Sequence, residues 1–368
     1  MGFIPAPTTG CSEELSLVAI VGPTASGKSA LALELGERLN GEIVNCDSIQ
    51  IYRGFVVGSG KLLPHERRGI PHHLLDRVDP GQAFTAGDYM REARQVLASI
   101  HARRKLPIVV GGTGLYLRAL LLGLFRGPAR SEALRARLRH LAEKRGREFL
   151  HRMLRRLDSQ AACRIQPRDT QKIIRALEVS ILARQPLSRM HDGGREPLAG
   201  VRALKIGLDP DRAELFRRIN TRVERMFAAG LVEETRALIE GVRLQGLRAK
   251  TPAALEALGY KQAASYLSRN ATLAEAIAET QKATRRYAKR QLTWFRREPK
   301  VAWFRGFGDD PRIQTQALAW LRERCDRVRN GTSVARPTRP PEGEPASIQL
   351  TLTRTGPSRS SRIFKMDF

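Results

Sequence analysis

The stretch Leu17–Ser29, LVAIVGPTASGKS, constrains this chain more than any other. An apolar run from Leu17 to Val21 meets Gly22, Pro23, Thr24, Ala25, Ser26, Gly27, Lys28 and Ser29, and an Ala/Leu/Glu helix pattern, ALALELGERL, follows at once. G-x-x-x-x-G-K-[ST] between a strand and a helix is a phosphate-binding loop (P-loop). Its glycines let the backbone curl so that successive N–H groups point inward. The helix N-terminus adds partial positive charge, Lys28 a point charge, and the Ser29 hydroxyl a ligand for Mg²⁺. A Gly-rich turn that binds nothing has no need of both flanks. Either a di- or a triphosphate fits the motif.

The chain has 368 residues, enough for two or three domains and a large core. Lys and Arg number 64 against 37 Asp and Glu, a net charge of +27. Charge of that size points to a polyanionic partner, nucleic acid first and an anionic membrane surface second; an Arg-favouring composition is the plainer alternative. Cys11, Cys46, Cys163 and Cys325 lie far apart with no C-x-x-C pair, as reduced cytosolic thiols do. The first residues have no basic leader region, and no apolar stretch approaches the roughly 18 residues of a membrane span. The expectation is a soluble, cytoplasmic protein.

A second strand, Glu42–Cys46, delivers Asp47 and Ser48 at its C-terminal end, after a helix stop at Asn40-Gly41. Ligands of open parallel sheets bind at those ends, so Asp47 is expected to face Lys28. A third strand, Pro107–Val110, ends in Gly111-Gly112-Thr113-Gly114 and opens another helix. Strand, turn and helix recur, which predicts an α/β fold with a parallel sheet. Residues 131–197 are helical throughout, with arginine between apolar positions, and read as a helical insertion. Val201–Leu208 returns to the sheet, Asp209 caps a helix with Pro210 first, and 273–297 form a long basic helix. The expected division is a loose lead-in (1–14), an α/β core with C-terminal helices (15–130 and 198–305), the insertion (131–197), a terminal helix (306–330) and a disordered Pro/Ser/Thr-rich basic tail (331–368).

An ATP hydrolase or typical kinase holds Mg²⁺ with an acid at the end of a core strand. Here Ile108–Val110 ends in Gly-Gly-Thr, leaving Asp47 as the best-placed acid: a metal holder, a proton acceptor, or simply a turn cap. Arg218 and Arg222 lie four apart on one helix face and suit a diphosphate, unless they form a solvated face with Glu224. Residues 281–297 interleave seven Lys and Arg with Tyr287, Trp294 and Phe295, as an RNA contact does; the alternative puts Trp294 and Phe295 in the core. His72-His73 is a poor metal pair, because adjacent side chains diverge.

These residues resemble one family, the tRNA dimethylallyltransferases, P-loop prenyl transferases. The matching stretches are 22–35, 45–54, 71–80, 107–121, 168–179, 257–262 and 287–296, in the family's order over roughly 15–305. Departure comes at GFVVGSGKL (54–62), where the family shows a Met-Asp and an Ile-Gly-Thr-Ala-Lys-Pro pattern. The resemblance implies a P-loop-type sheet core with a tRNA-binding helical insertion. It implies transfer of a dimethylallyl group from its diphosphate to N6 of adenosine 37, in tRNAs reading codons that begin with U. It further implies Asp47 as base, the loop residues Gly22 to Ser29 with Thr24 and Arg222 (Arg218 second) on the pyrophosphate, and Mg²⁺ at Ser29. The tRNA anticodon stem-loop would meet Asp47, Ser48, Ile49, Gln50, Thr113, Arg135, Gln171, Lys172, Ile173, Ile174, Arg175, Glu256, Ala257, Leu258, Gly259, Tyr260 and Lys261, with the enzyme a monomer. Two rivals remain at this point: a small-molecule P-loop kinase using ATP, and a non-catalytic RNA-binding protein with a relic loop.

Overall fold

The computed structural model describes residues 15–192, 194–244 and 253–329, so the expectations for 1–14 and for the tail lie outside the described residues. Six strands form one all-parallel sheet in the order β3-β2-β4-β1-β5-β6. They are β1 (Leu15–Val21), β2 (Gly41–Asn45), β3 (His72–His73), β4 (Leu106–Val110), β5 (Val201–Leu208) and β6 (Val301–Phe304). β1 is central, in register with β4 through Val18–Ile108 and with β5 through Val18–Leu204.

The apolar run of β1 is unbroken because both of its faces are covered. Leu17, Ala19 and Val21 point into one core, while Val18 and Ile20 point into a second. That second core is roofed by α1 (Lys28–Arg38) and the terminal helix, Pro311–Arg329. On the opposite face lie α2 (Ala86–Ala102) and α3 (Gly114–Leu122). The insertion comprises α4 (Glu132–Arg145), α5 (Arg147–Leu157), α6 (Ser159–Arg164), α7 (Thr170–Ala183) and α8 (Leu187–Asp192). These helices bury a core of their own, including Leu138, Leu150, Leu154, Ile173 and Leu177. After β5 come α9 (Arg212–Ala228), α10 (Leu231–Leu244), α11 (Tyr260–Leu267) and α12 (Leu273–Phe295); the terminal helix is α13.

Of three local expectations, the two at Asn40-Gly41 and His72-His73 are refined and the one at Asp209 is overturned. Asn40, at φ +50°, makes the left-handed turn after α1, and Gly41 already belongs to β2. Asp209 does not cap α9: Asp211 does, accepting from the Glu214 amide at 2.9 Å, while Asp209 pairs with Arg296. His72 and His73 form a short strand beside β2 that the sequence pattern did not show, and they do separate, His73 reaching Glu42 at 2.7 Å.

Candidate active site

The loop between β1 and α1 lies at the carboxyl end of the sheet, where helix dipole and backbone amides converge. Gly27 sits at φ +81°, and a Cβ there would stand 2.7 Å from the Gly308 amide and from Asp309. The segment before α13 therefore presses on the loop from outside, and the Gly308 amide donates to the Ser26 carbonyl at 2.9 Å. Lys28 Nζ donates to the carbonyls of Gly22 and Pro23 at 3.1 and 2.7 Å. Burial, then the neighbouring Arg222, lowers its pKa to about 8, with Asp47 acting the other way. Ser26 Oγ is buried with no hydrogen-bond partner among the described residues.

Asp47 follows β2. Its Oδ1 accepts from the amides of Ile49 (2.8 Å) and Gln50 (3.4 Å), while Oδ2 takes no hydrogen bond among the described residues. The carboxylate thus caps its own turn with one oxygen and keeps the other for the cavity. Thr113, from the turn after β4, accepts from the Ser48 amide at 3.1 Å and fixes that turn from the side. Arg222, on α9, has no hydrogen-bond or ion-pair partner among the described residues. Burial lowers its pKa and Asp47 opposes that shift.

Two adjoining cavities meet here. The first, about 450 Å³, takes in the loop from Thr24 to Ser29. The second, about 380 Å³, is walled by Glu256–Tyr260, Met226 and Arg290. Thr24, Ala25, Asp47, Ser59, Arg222 and Tyr287 line both. An anion site and an acceptor site can therefore share one carboxylate and one guanidinium at their junction. Of the four-apart arginine pair, only Arg222 is placed there. Arg218 is bound by Asp309 at 2.8 Å and lies over the Phe307 ring at 3.7 Å, outside both cavities.

The expected RNA-facing residues divide. Ser48, Ile49, Ala257, Leu258 and Gly259 line the second cavity, with Glu256 and Tyr260. Tyr260 is a wall residue at its core end, buried, with its hydroxyl on Glu234. Lys261 is exposed and paired with Glu256. In the insertion, Ile173 and Ile174 are core residues and offer no side chain to RNA. Arg135 forks onto Glu178 at 2.8 and 2.9 Å, and Arg175 joins it at 2.7 Å. Glu178 is wholly buried, and despite the cost of burial these donors hold its pKa down at about 2. Arg135 is thus occupied in tying α4 to α7. Gln171 and Lys172 remain on the surface, Lys172 paired with Asp169. Phe295 is core, whereas Trp294 is 37% exposed with the Arg118 guanidinium 4.7 Å above its ring.

Gln291 was not singled out by the sequence. Its Oε1 accepts from the Thr24 amide (2.8 Å) and its Nε2 donates to the Gly112 carbonyl (3.1 Å), so α12 staples the P-loop to the turn after β4. The available signal was a polar residue inside the buried stripe Ala288, Gln291, Phe295.

A family model described as IPP transferase matches residues 50–298. The chain belongs to the IPP transferase family. Among curated members of that family, the tRNA dimethylallyltransferase of Koribacter versatilis is 52% identical over 303 residues, 82% of this chain and 96% of the relative. That of Geobacter sulfurreducens is 46% identical over 84% of this chain and 98% of its own length. Among solved family structures, the tRNA isopentenylpyrophosphate transferase of Bacillus halodurans is 36% identical, with a TM-score of 0.61 over 86% of this chain and 98% of the other. A eukaryotic dimethylallyltransferase acting on tRNA, 24% identical, shares the fold at a TM-score of 0.68 over 88% of this chain and 81% of the other.

For Mg²⁺, the first cavity is lined by the hydroxyl residues Thr24, Ser26, Ser29 and Ser59 and by the carboxylates Asp47 and Glu66, all oxygen donors, with Ser29 next to Lys28 at the head of α1. Among the described residues, no group of three or more His, Cys, Asp and Glu is placed to hold a metal. That combination suits an ion that takes few protein ligands and completes its shell with substrate phosphate oxygens and water.

Proposed function

We propose that this chain is a tRNA dimethylallyltransferase, moving the dimethylallyl group of dimethylallyl diphosphate to N6 of adenosine 37 in tRNAs reading codons that begin with U. The observation that carries the reading is the junction: Asp47 and Arg222 line both the P-loop cavity and the cavity beside it. A P-loop used only to hydrolyse ATP has no need of a second chamber reaching its catalytic acid; a phosphoryl-transfer enzyme does need an acceptor chamber, and the ATP reaction in the test below separates it.

The donor's diphosphate rests in the loop from Gly22 to Ser29, held by loop amides and Lys28. Ser29 would hold Mg²⁺, which supplies charge neutralisation to the diphosphate. The acceptor adenine is flipped out of the anticodon loop into the second cavity, at a cost of a few kcal/mol of unstacking. Its exocyclic amine is a weak nucleophile, because the lone pair is delocalised into the ring. As N6 bonds to the allylic carbon, the carbon–oxygen bond to the diphosphate breaks and Asp47 Oδ2 takes the N6 proton. Negative charge grows on the departing pyrophosphate, where Lys28, the Thr24 hydroxyl and Arg222 meet it in place of water. Arg222 is suited to this because no carboxylate neutralises it within hydrogen-bonding distance. In this reading the partner is the tRNA anticodon stem-loop and the enzyme is a cytoplasmic monomer. No helix among the described residues is long and apolar enough to cross a membrane.

The test is a transfer assay with labelled dimethylallyl diphosphate, Mg²⁺ and tRNA transcripts carrying A36-A37, beside a reaction with γ-labelled ATP. Label on A37 in the first reaction alone supports the reading. ATP turnover with no label on tRNA overturns it.

A further inference from the structure

The backbone of residues 56–60 stands between Arg222 and a carboxylate that the chemistry above does not use. Glu234, in the first turn of α10, accepts from three successive amides: Val56 at 3.2 Å, Val57 at 2.8 Å and Gly58 at 3.3 Å. Its Oε1 also accepts from the Tyr260 hydroxyl at 2.7 Å. Consecutive amides aimed at one anion form a nest, and here the anion is a side chain of the same molecule. Both carboxylate oxygens are engaged, so the loop is gripped at three points and tied through the fourth to Tyr260.

What the loop carries explains the grip. Gly60, at φ +61°, lies so close to Arg222 that a Cβ there would overlap the guanidinium. Gly58 packs as tightly on the Tyr260 ring, where a Cβ would stand 2.6 Å away. Gln50, whose amide donates to Asp47 Oδ1, donates through Nε2 to the Ser59 and Gly60 carbonyls at 3.2 and 3.4 Å. The loop therefore connects the turn of the base, the seat of the clamp and the Tyr260 wall of the second cavity. Ser59 lines both cavities.

We propose that Glu234 is a positioning residue for the donor: it fixes Val56–Gly58 so that Gly60 seats the Arg222 guanidinium against the diphosphate. This rests on the reading of Arg222 as a diphosphate clamp. Glu234→Gln keeps the shape but puts an amide nitrogen against amide donors. Even in the orientation where the Tyr260 hydroxyl turns to accept, the Gly58 contact is lost, and the grip on the loop is weakened.

The experiment measures binding of inorganic pyrophosphate with Mg²⁺ by calorimetry, and donor and tRNA KM, for wild type, Glu234→Gln, Arg222→Ala and the double variant. Each single variant is expected to bind pyrophosphate at least tenfold more weakly, with donor KM raised and tRNA KM within twofold of wild type. The double variant should match Arg222→Ala within twofold, because the two act as one unit. Pyrophosphate affinity unchanged in a folded Glu234→Gln, or losses that multiply in the double variant, would overturn the inference. Should Glu234→Gln fail to fold, Tyr260→Phe decides, since it removes one donor and leaves the ring. A three- to fivefold loss of pyrophosphate affinity supports the role, and wild-type affinity ends it. Wild type that binds pyrophosphate in this coupled way yet never prenylates tRNA retains the inference and discards the reading of function. Wild type that prenylates tRNA, with Glu234→Gln indistinguishable from it, does the reverse.

Discussion

The cavity junction of the α/β core and the seam between α4 and α7 of the insertion both hold basic side chains, yet they use them in opposite ways. In the core, Arg222 and Lys28 are held beside a cavity with no carboxylate hydrogen-bonded to either. In the insertion, Arg135 and Arg175 converge on the buried Glu178, and Lys172 on Asp169. Charge kept without a nearby counter-ion costs stability and is available to a ligand; charge already paired is part of the scaffold. A net charge of +27 therefore does not map onto an RNA footprint residue by residue.

The sharpest way to test the contrast is to remove chemistry from the core alone. Asp47→Asn should lower transfer about a thousandfold, within the span of a lost general base. Pyrophosphate and tRNA should still bind as in wild type. Full activity with both substrates bound would remove Asp47 from the mechanism.

The next effect separates the two regions by stability. Glu178→Ala leaves two guanidinium groups without their buried partner and should cost about 3–5 kcal/mol. The loss should appear as faster hydrogen exchange in α4 and α7 and weaker tRNA binding, while pyrophosphate affinity stays put. Acid should act at the same place. The Glu178 pKa is about 2 when folded, against 4.5 in the free side chain. Its contribution is therefore full above pH 4.5 and lost as pH falls from 4.5 toward 2. Protection of α4 and α7 that is flat across that range would sink the assignment.

A smaller effect belongs to Lys28. Its pKa of about 8 lies below the usual 10.5, so the free enzyme sheds this charge as pH rises past 8. Donor kcat/KM should fall by up to tenfold per pH unit above that point, and Lys28→Arg should move the limb to higher pH. An unshifted limb in Lys28→Arg would assign it to another group.

The mildest test asks which insertion charges serve RNA. Arg145, Arg147, Arg152 and Arg168 line a hollow at the α4–α5 turn, away from Glu178. Converting Arg147 and Arg168 to Ala should weaken tRNA binding about tenfold and reduce the salt slope by about two, with kcat retained. A salt slope equal to wild type would place the RNA elsewhere.

How much of this was legible in the sequence follows from the range of the forces involved. The P-loop and Asp47 could be read because local backbone geometry demands those residue types at those spacings. The fold class could be read because strands covered on both faces leave unbroken apolar runs. Ile173, Ile174 and Arg135 were expected to face RNA, yet the two isoleucine side chains lie in the insertion's core and Arg135 is paired with Glu178, since which face of a helix is buried depends on partners tens of residues away. Gln291 and Glu234 were missed for the same reason: Gln291 meets Thr24 across 267 positions, and Glu234 meets Val57 across 177. Nothing local marks a glutamate as the holder of a distant loop.

The contact between Gly308 and the P-loop has a consequence for how the molecule is made. The loop at Ser26 and Gly27 leaves the ribosome well before the elements that complete it, and its strand β1 must wait for β5 before it is flanked on both sides. The outer face of the loop waits longer still, until Gly308 and Asp309 have been synthesised. At roughly 5–20 residues per second, that interval is on the order of tens of seconds. A nascent chain thus carries its phosphate-binding sequence for that whole interval before it acquires the site, so a shortened product lacking Gly308 and Asp309 holds the motif without the finished pocket.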